Sequence, residues 1–93
     1  MKERRSNIEV VADMLRVGEH GAGKTRIMYT ANMSHRQLQK YLDLLVDRGC
    51  LKRTSIDKSH VSYNLTGKGS ALLKSIDDVL KTLDRRAESK HTT

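Results

Sequence analysis

The sequence predicts a mainly helical (α+β) fold with a small β-hairpin, arranged as a winged helix-turn-helix with a long C-terminal helix. Three observations support this fold class. Two amphipathic helical segments between residues 24 and 48 are separated only by the turn Asn32-Met33. After Gly49 the apolar spacing becomes strand-like, with alternation over 61–65, which is typical of two short strands. A further helical pattern follows Thr66, so the order is helix, turn, helix, hairpin, helix.

A first helix is predicted over residues 7–17, before the helix-turn-helix pair. Ser6 and Glu9 have the spacing of a capping box, in which each side chain bonds the backbone N–H of the other residue. Apolar residues recur at helical spacing on one face, namely Ile8, Val11, Ala12 and Leu15. We expect this helix to end at Gly18 and a flexible, glycine-rich loop to cover residues 18–23.

The second and third helices form the predicted helix-turn-helix. The second is short, about residues 25–31, and Asn32 suits the turn because asparagine tolerates a left-handed backbone. The third helix covers 34–48. Ser34 is its predicted cap and forms a second capping box with Gln37, and Gly49 is the residue that ends the helix. Its buried stripe is expected to consist of Leu38, Tyr41, Leu42, Leu45 and Val46.

The hairpin is predicted from two strand-like runs, residues 50–56 and 61–65, which are joined by a polar tip at 57–60. Thr66 then caps the last helix. The chain is accordingly divided into a charged arm at 1–5, a winged helix-turn-helix domain at 6–66, a C-terminal helix at 67–87 and a flexible tail at 88–93.

The last helix carries an apolar stripe whose residues are four, three and four positions apart, as in a coiled coil. The stripe consists of Leu72, Ile76, Val79 and Leu83. It could cover the core of its own domain, or it could pair with the same helix of a second chain. The coiled-coil spacing favours pairing, so we expect a homodimer joined through this helix.

The charge of the chain points to a polyanion as its partner. Eighteen Lys and Arg residues face eleven Asp and Glu residues, which gives a formal net charge of +7. The three tyrosines, without Phe or Trp, do not supply a stacking platform for single strands, so double-stranded DNA is expected. A single cysteine and the absence of zinc-ligand spacing argue against a metal site. No apolar run approaches the ~20 residues of a membrane span, and a cytoplasmic location is expected.

Residues 18–25 match the phosphate-binding loop pattern G-x-x-x-x-G-K-[ST] in every fixed position. That loop functions between a buried strand and a helix, where backbone N–H groups and the helix dipole face the phosphates. Here a capped amphipathic helix precedes the match, so we interpret the match as coincidence and expect no nucleotide or other cofactor. The four histidines are scattered, no catalytic residue is predicted, and the chain is not expected to be an enzyme.

The polar face of the third helix is the predicted site, because the second helix of a helix-turn-helix enters the major groove. Candidates for base readout are His35, Arg36, Gln39 and Lys40. Arg36 can bond guanine O6 and N7, and Gln39 can pair with adenine N6 and N7. Asp43 on the same face would repel phosphate unless a basic neighbour screens it. Candidates for backbone contact are Lys24, Thr25, Arg26, Ser34, Arg53, Lys58 and His60.

The sequence resembles the small archaeal winged helix-turn-helix proteins that are described as predicted transcriptional regulators. The similar blocks are residues 4–9, 24–29, 31–34 with the following pairs 37–38 and 41–42, 49–51 and 65–69. The block Lys-Thr-Arg-Ile-Met-Tyr at 24–29 is fairly specific, whereas the pattern at 65–69 is common to many winged-helix regulators. The resemblance implies binding of double-stranded DNA through the helix at 34–48 and the wing at 57–60. Some crenarchaeal members of that family are chromatin-associated proteins that dimerise through a long antiparallel C-terminal coiled coil.

These observations predict a DNA-binding protein, and specifically a transcriptional regulator that uses the helix at 34–48 in the major groove and the wing on the backbone. Two alternatives stay open at this level. The chain could be an architectural chromatin protein with low sequence preference. It could also be a winged-helix protein-interaction module whose basic face binds an acidic partner.

Overall fold

Four α-helices and one β-hairpin follow one another over residues 6–83, the part of the chain that the computed structural model describes. The elements are α1 (Asn7–Val17), a 3₁₀ turn (Gly18–His20), α2 (Lys24–Thr30), α3 (His35–Asp47), β1 (Leu51–Ser55), β2 (Val61–Leu65) and α4 (Gly67–Leu83). This order confirms the predicted fold class. The predicted arm at 1–5, the tail at 88–93 and the last residues of the C-terminal helix lie outside the described residues.

Both predicted capping boxes form. The backbone N–H of Glu9 donates to Ser6 Oγ at 3.1 Å, and that of Ser6 donates to Glu9 Oε1 at 3.0 Å. At the start of α3 the same two bonds join Ser34 and Gln37, each at 3.2 Å. A serine cap of this kind contributes about 1 kcal/mol to helix stability. The entry of the chain into α1 and α3 is therefore determined by a local sequence signal.

The hydrophobic core lies between the helices and the inner face of the hairpin. Its largest fully buried side chains are Met14, Leu15, Ile27, Leu38, Leu42 and Leu51. The predicted stripe of α3 is confirmed, because three of its members are buried and the other two pack against the core. The predicted face of α1 is partly wrong, since Ile8 is 48% exposed whereas Val10 is buried. The helix packs against α2 and α4 at once, so the arc that it buries is rotated toward Val10.

The segment at 18–23, predicted as a flexible loop, is instead attached to the hairpin. After the 3₁₀ turn, the backbone of Ala22 pairs with that of Tyr63 through N–H···O bonds of 3.1 and 2.8 Å. This pair satisfies backbone groups on the outer edge of β2 that would otherwise need water. The N–H of Ala22, which lies inside the phosphate-loop match, is therefore already used within the fold.

Two predicted chain reversals are confirmed by backbone conformation. Asn32 has φ of 53° in the turn between α2 and α3, and Gly49 has φ of 77° directly after α3. The hairpin then forms with antiparallel register from Leu51 opposite Leu65 to Ser55 opposite Val61. Cys50, between α3 and β1, is buried as a small core residue.

One hydroxyl joins the end of α3 to the start of α4. Thr66 Oγ1 donates to the carbonyl oxygen of Gly49 at 2.6 Å, and it accepts from the backbone N–H of Gly69 at 2.9 Å. The second bond confirms that Thr66 caps the last helix. Gly69 lies directly against the backbone carbonyl of Cys50, so the first turn of α4 touches the chain that leaves α3.

The last helix is also fastened to α1 by an ion pair. Arg16 Nη1 lies 3.1 Å from Asp77 Oδ2 and 3.3 Å from Asp77 Oδ1, and Asp77 is nearly three turns along α4. Beside this pair, Leu73 and Ile76 are buried against the domain. Over residues 6–83, none of the helices combines the length and apolar character that a bilayer crossing demands.

Candidate nucleic-acid interface

The N-terminal half of α3 presents a polar face that residues 6–83 leave uncovered. Successive residues are about 100° apart around a helix, so Arg36 and Lys40 project away from the buried Leu38 and Leu42. Both side chains are exposed, and within residues 6–83 neither makes a hydrogen bond or ion pair. His35 is exposed in the first turn, toward one side of this face. The structure thus brings three of the four predicted base-readout side chains to open solvent.

The fourth predicted base-readout residue, Gln39, is half-buried and already has two partners. Lys24 Nζ, at the start of α2, donates to Gln39 Oε1 at 2.9 Å. Gln39 Nε2 in turn donates to Asp43 Oδ1 at 3.0 Å, one helical turn further along α3. Sequence spacing predicts the second bond, because residues four apart are neighbours on a helix. The first bond joins two different helices, and local sequence carries no signal for it.

The C-terminal half of the same face is acidic. Asp43 and Asp47 are four residues apart and both exposed, and the predicted site did not include Asp47. With Lys24, Arg53 and Tyr63 they line a cleft between α3 and the hairpin. Carboxylates repel phosphate, so this half of α3 is a poor surface for a DNA backbone. The cationic groups of the face are accordingly concentrated toward the N-terminus of α3.

The hairpin adds exposed cations beside α3, but Lys52 and Arg53 are consecutive in β1 and therefore point to opposite faces of the hairpin. Lys52, Arg53 and Lys58 are exposed, and Lys58 lies at the tip without a partner in the described part of the chain. Arg53 is opposite Tyr63 in the register, which places it on the side of the hairpin that lines the cleft. The predicted wing is therefore present and adjoins the predicted readout helix.

The histidine of the wing tip is turned toward its own hairpin. His60 Nδ1 lies 2.9 Å from Asp57 Oδ1, and the backbone N–H groups of Ser59 and His60 also donate to that oxygen at 2.9 Å. The His60 ring first, and the Ser59 N–H next, lower the pKa of Asp57 below its usual range. The negative charge of Asp57 thus persists at the tip, which makes His60 a weaker phosphate contact than Lys58.

The remaining predicted backbone contacts lie near the N-termini of the two helices of the helix-turn-helix. Thr25 and Arg26 are exposed in the first turn of α2. Ser34 is exposed, and its hydroxyl accepts the Gln37 N–H, so its role in the structure is that of a helix cap. Their contact with phosphate stays a prediction.

A separate apolar surface lies away from the polar face of α3. In the predicted stripe of α4, the exposed fractions of Leu72, Val79 and Leu83 are 36%, 47% and 68%. Ile76 is buried, with only 9% of its surface exposed. Leu72 and Ile76 also border a groove between α1, α3 and α4, together with the exposed Ile8 and Leu44. The α4 stripe therefore serves the core of the domain at Ile76 and leaves three apolar side chains in solvent.

The element order, the hairpin beside α3 and the exposed polar face of that helix define the class of winged helix-turn-helix proteins. The chain belongs to the winged helix-turn-helix family, whose model matches residues 4–84. Proteins of this family are not enzymes, which agrees with the sequence prediction.

Two relatives come from Methanocaldococcus jannaschii, which fits the predicted resemblance to archaeal winged-helix proteins. Uncharacterized protein MJ0287 is 32% identical over 84 residues, a match that covers 89% of this chain and 81% of the relative. Uncharacterized protein MJ0290 is 30% identical over 81 residues, which are 86% of this chain but 36% of that longer protein.

Two solved structures share the fold. Sso10a-2, a DNA-binding protein from Sulfolobus solfataricus, has a TM-score of 0.82 and 32% sequence identity, over 95% of this chain and 92% of the other. A probable transcriptional regulator from Pseudomonas aeruginosa has a TM-score of 0.70 over 92% of this chain and 66% of the other. At 18% identity, this second likeness shows the fold alone.

Proposed function

We propose that the chain binds double-stranded DNA as a transcriptional regulator, with α3 in the major groove and the hairpin along the backbone. The observation that supports this most is the pair of exposed cations Arg36 and Lys40 on the N-terminal half of α3, which have no partner among residues 6–83. That is the part of a recognition helix that reaches base edges. The 32% identity to Sso10a-2, a DNA-binding protein, supports the same function.

The hairpin supplies the second part of this proposal. Its exposed cations Lys52, Arg53 and Lys58 can neutralise phosphate groups, and such contacts add affinity without reading the sequence. Because β2 is bonded to Ala22, directly before α2, the wing and the helix-turn-helix are held in one arrangement. A duplex that contacts α3 would therefore meet the wing at a fixed position.

Selection of bound sequences from random duplexes, followed by footprinting, tests the proposed function. A regulator enriches one sequence and protects it in the presence of excess random DNA. Equal competition by random DNA would indicate an architectural protein with low sequence preference. If duplex DNA does not change the mobility of the chain in a gel, the proposal is wrong and a protein-interaction module is the better description.

Arg36→Ala should remove sequence preference at one base pair. A fork of two bonds to guanine O6 and N7 contributes about 1–3 kcal/mol of discrimination, or about 5- to 150-fold in relative affinity. The measurement is competition binding between the selected duplex and duplexes with single substitutions. Arg48→Ala is the matched control, because it removes the same charge from the other end of α3, about 18 Å away. If Arg36→Ala keeps the full preference, the role assigned to Arg36 is wrong.

We further propose that the chain forms a homodimer through α4. The exposed Leu72, Val79 and Leu83 follow one line along the helix, since they are seven and four residues apart. Such a line would be covered by the same line of a second copy related by a two-fold axis. Two recognition helices would then face adjacent half-sites on one duplex.

Val79→Glu should convert the dimer to a monomer. Each protomer would lose roughly 1.5–3 kcal/mol of apolar burial, and symmetry doubles the loss, so the dissociation constant should rise at least about 100-fold. Analytical ultracentrifugation over a concentration series measures this change. Lys81→Glu is the control, since it lies two residues away on the opposite, exposed side of α4. A wild-type chain that sediments as a monomer throughout would contradict the proposal.

A further inference from the structure

The amide of Gln39 is held at both of its ends by neighbouring charged groups. Lys24 Nζ donates to the amide oxygen at 2.9 Å, and the amide nitrogen donates to Asp43 Oδ1 at 3.0 Å. The lysine comes from the first residue of α2 and the aspartate from the middle of α3. The three side chains therefore form one hydrogen-bonded row across the two helices of the helix-turn-helix.

The charges at the two ends of the row determine which way the amide of Gln39 points. An ammonium group can only donate hydrogen bonds, and a carboxylate can only accept them. If the amide rotated by 180°, its NH₂ group would face the ammonium of Lys24 and its oxygen would face the carboxylate of Asp43. Both bonds would be lost and both contacts would become repulsive. The row thus fixes the orientation of a side chain that is ordinarily free to flip.

The bonding capacity that remains on Gln39 matches one base. A glutamine amide has two N–H donors and an oxygen with two lone pairs, and the row uses one of each. One N–H and one lone pair remain. Adenine presents the complementary pair in the major groove, because N7 accepts a hydrogen bond and the N6 amino group donates one.

We propose, on the basis of the proposed DNA-binding function, that Lys24 and Asp43 are positioning residues that orient Gln39 to select an adenine in the major groove. Lys24 then acts through Gln39 rather than as a phosphate contact. Asp43 likewise has a role on a face where a carboxylate would otherwise only repel the backbone. Arg36, one turn before Lys40 on the same face, remains available for a separate base pair.

The two roles of Lys24 predict different salt dependence. A lysine that neutralises a phosphate contributes about 0.9 to the slope of log affinity against log salt concentration. A lysine that orients Gln39 contributes little to that slope but changes the preference between bases. Lys58 at the wing tip is the matched comparison, because it is an exposed lysine for which phosphate contact is predicted.

The test uses the full-length chain and the duplex obtained by selection. Each adenine of that duplex is replaced in turn by 7-deazaadenine, which lacks the N7 acceptor, or by guanine. Binding is measured for the wild type, Gln39→Ala, Lys24→Met, Asp43→Ala and Lys58→Met at several salt concentrations. Circular dichroism confirms that every variant is folded.

We expect one adenine at which replacement weakens wild-type binding about 5- to 150-fold. Gln39→Ala should bind the two duplexes equally, and in Lys24→Met and Asp43→Ala the ratio of the two affinities should fall toward one. The salt slope of Lys24→Met should stay within about 0.3 of the wild-type slope. Lys58→Met should lower the slope by about 0.9 and keep the adenine preference.

The inference is overturned if Lys24→Met lowers the salt slope by about 0.9 and keeps the adenine preference, because Lys24 is then a phosphate contact. It is also overturned if no adenine of the selected duplex depends on Gln39. In both cases the wild type still binds duplex DNA. Failure of the proposed function is distinct, since selection would then enrich no sequence or the wild type would bind no duplex at all.

Discussion

Duplex affinity should fall about 10³- to 10⁵-fold when the salt concentration rises from 50 to 200 mM, provided that the chain contacts roughly 6–10 phosphates. The physical reason is that each neutralised phosphate releases a condensed counterion, and release becomes less favourable as salt increases. In the proposed complex, we expect such contacts to be the main source of affinity, because the chain has a net charge of +7 and exposed cations on the hairpin beside α3. Titration of a labelled duplex by fluorescence anisotropy at four salt concentrations measures the slope.

The acidic C-terminal half of α3 indicates which parts of the chain should contact phosphate. Because Asp43 and Asp47 repel phosphate, contacts should come from the hairpin and from the N-termini of α2 and α3. Asp47→Asn should therefore raise overall affinity without changing the slope, since it removes a repulsion and adds no cation. Circular dichroism over the same salt range serves as the control for folding. An affinity that does not depend on salt would contradict the proposed mechanism.

Gly69→Ala should lower the free energy of unfolding by about 2–3 kcal/mol, which corresponds to a decrease of about 10–20 °C in Tm. A Cβ at this position would overlap the carbonyl oxygen of Cys50 and lie 2.8 Å from Leu65 Cδ1. The obstacle is mainly backbone, which cannot turn aside as a flexible side chain does. The first turn of α4 would have to move away from the strand, and the Thr66 cap would be stretched with it. Urea denaturation followed by circular dichroism measures the loss.

Gly67→Ala provides the matched control for this prediction. Gly67 begins the same helix two residues earlier, and a Cβ there would meet no atom within 4 Å. Alanine reduces the conformational freedom of the unfolded chain, so this variant should be unchanged or more stable by up to about 1 kcal/mol. Equal stability of the two variants would show that the close approach at Gly69 does not constrain the fold.

The features that the sequence predicted are those with local causes. Ser34 with Gln37 formed the expected capping box, and Asn32 and Gly49 took the left-handed conformations that end α2 and α3. Each of these signals lies within three or four residues of the structure that it determines. The stripe of α3 was equally clear, because its leucines recur at the helical period.

The features that the sequence did not predict depend on residues that are far apart in the chain. Nothing near Ala22 indicates that its backbone pairs with Tyr63, and nothing near Lys24 indicates a bond to Gln39. The exposure of Ile8 likewise depends on how α1 is rotated between α2 and α4. Helical periodicity identifies an apolar face, but neighbouring elements decide how much of that face is buried. The sequence therefore predicted which residues make up the candidate site, but it did not predict the hydrogen bond between Lys24 and Gln39 within that site.

The hydroxyl of Thr66 gives the molecule a mechanical property. It donates a hydrogen bond to the carbonyl oxygen of Gly49, directly after α3, and accepts one from Gly69 in the first turn of α4. In the proposed dimer, this connection would couple the position of the paired α4 helices to the position of α3 in each protomer. The half-site spacing that the dimer accepts would then depend on the hydrogen bond between Thr66 and Gly49.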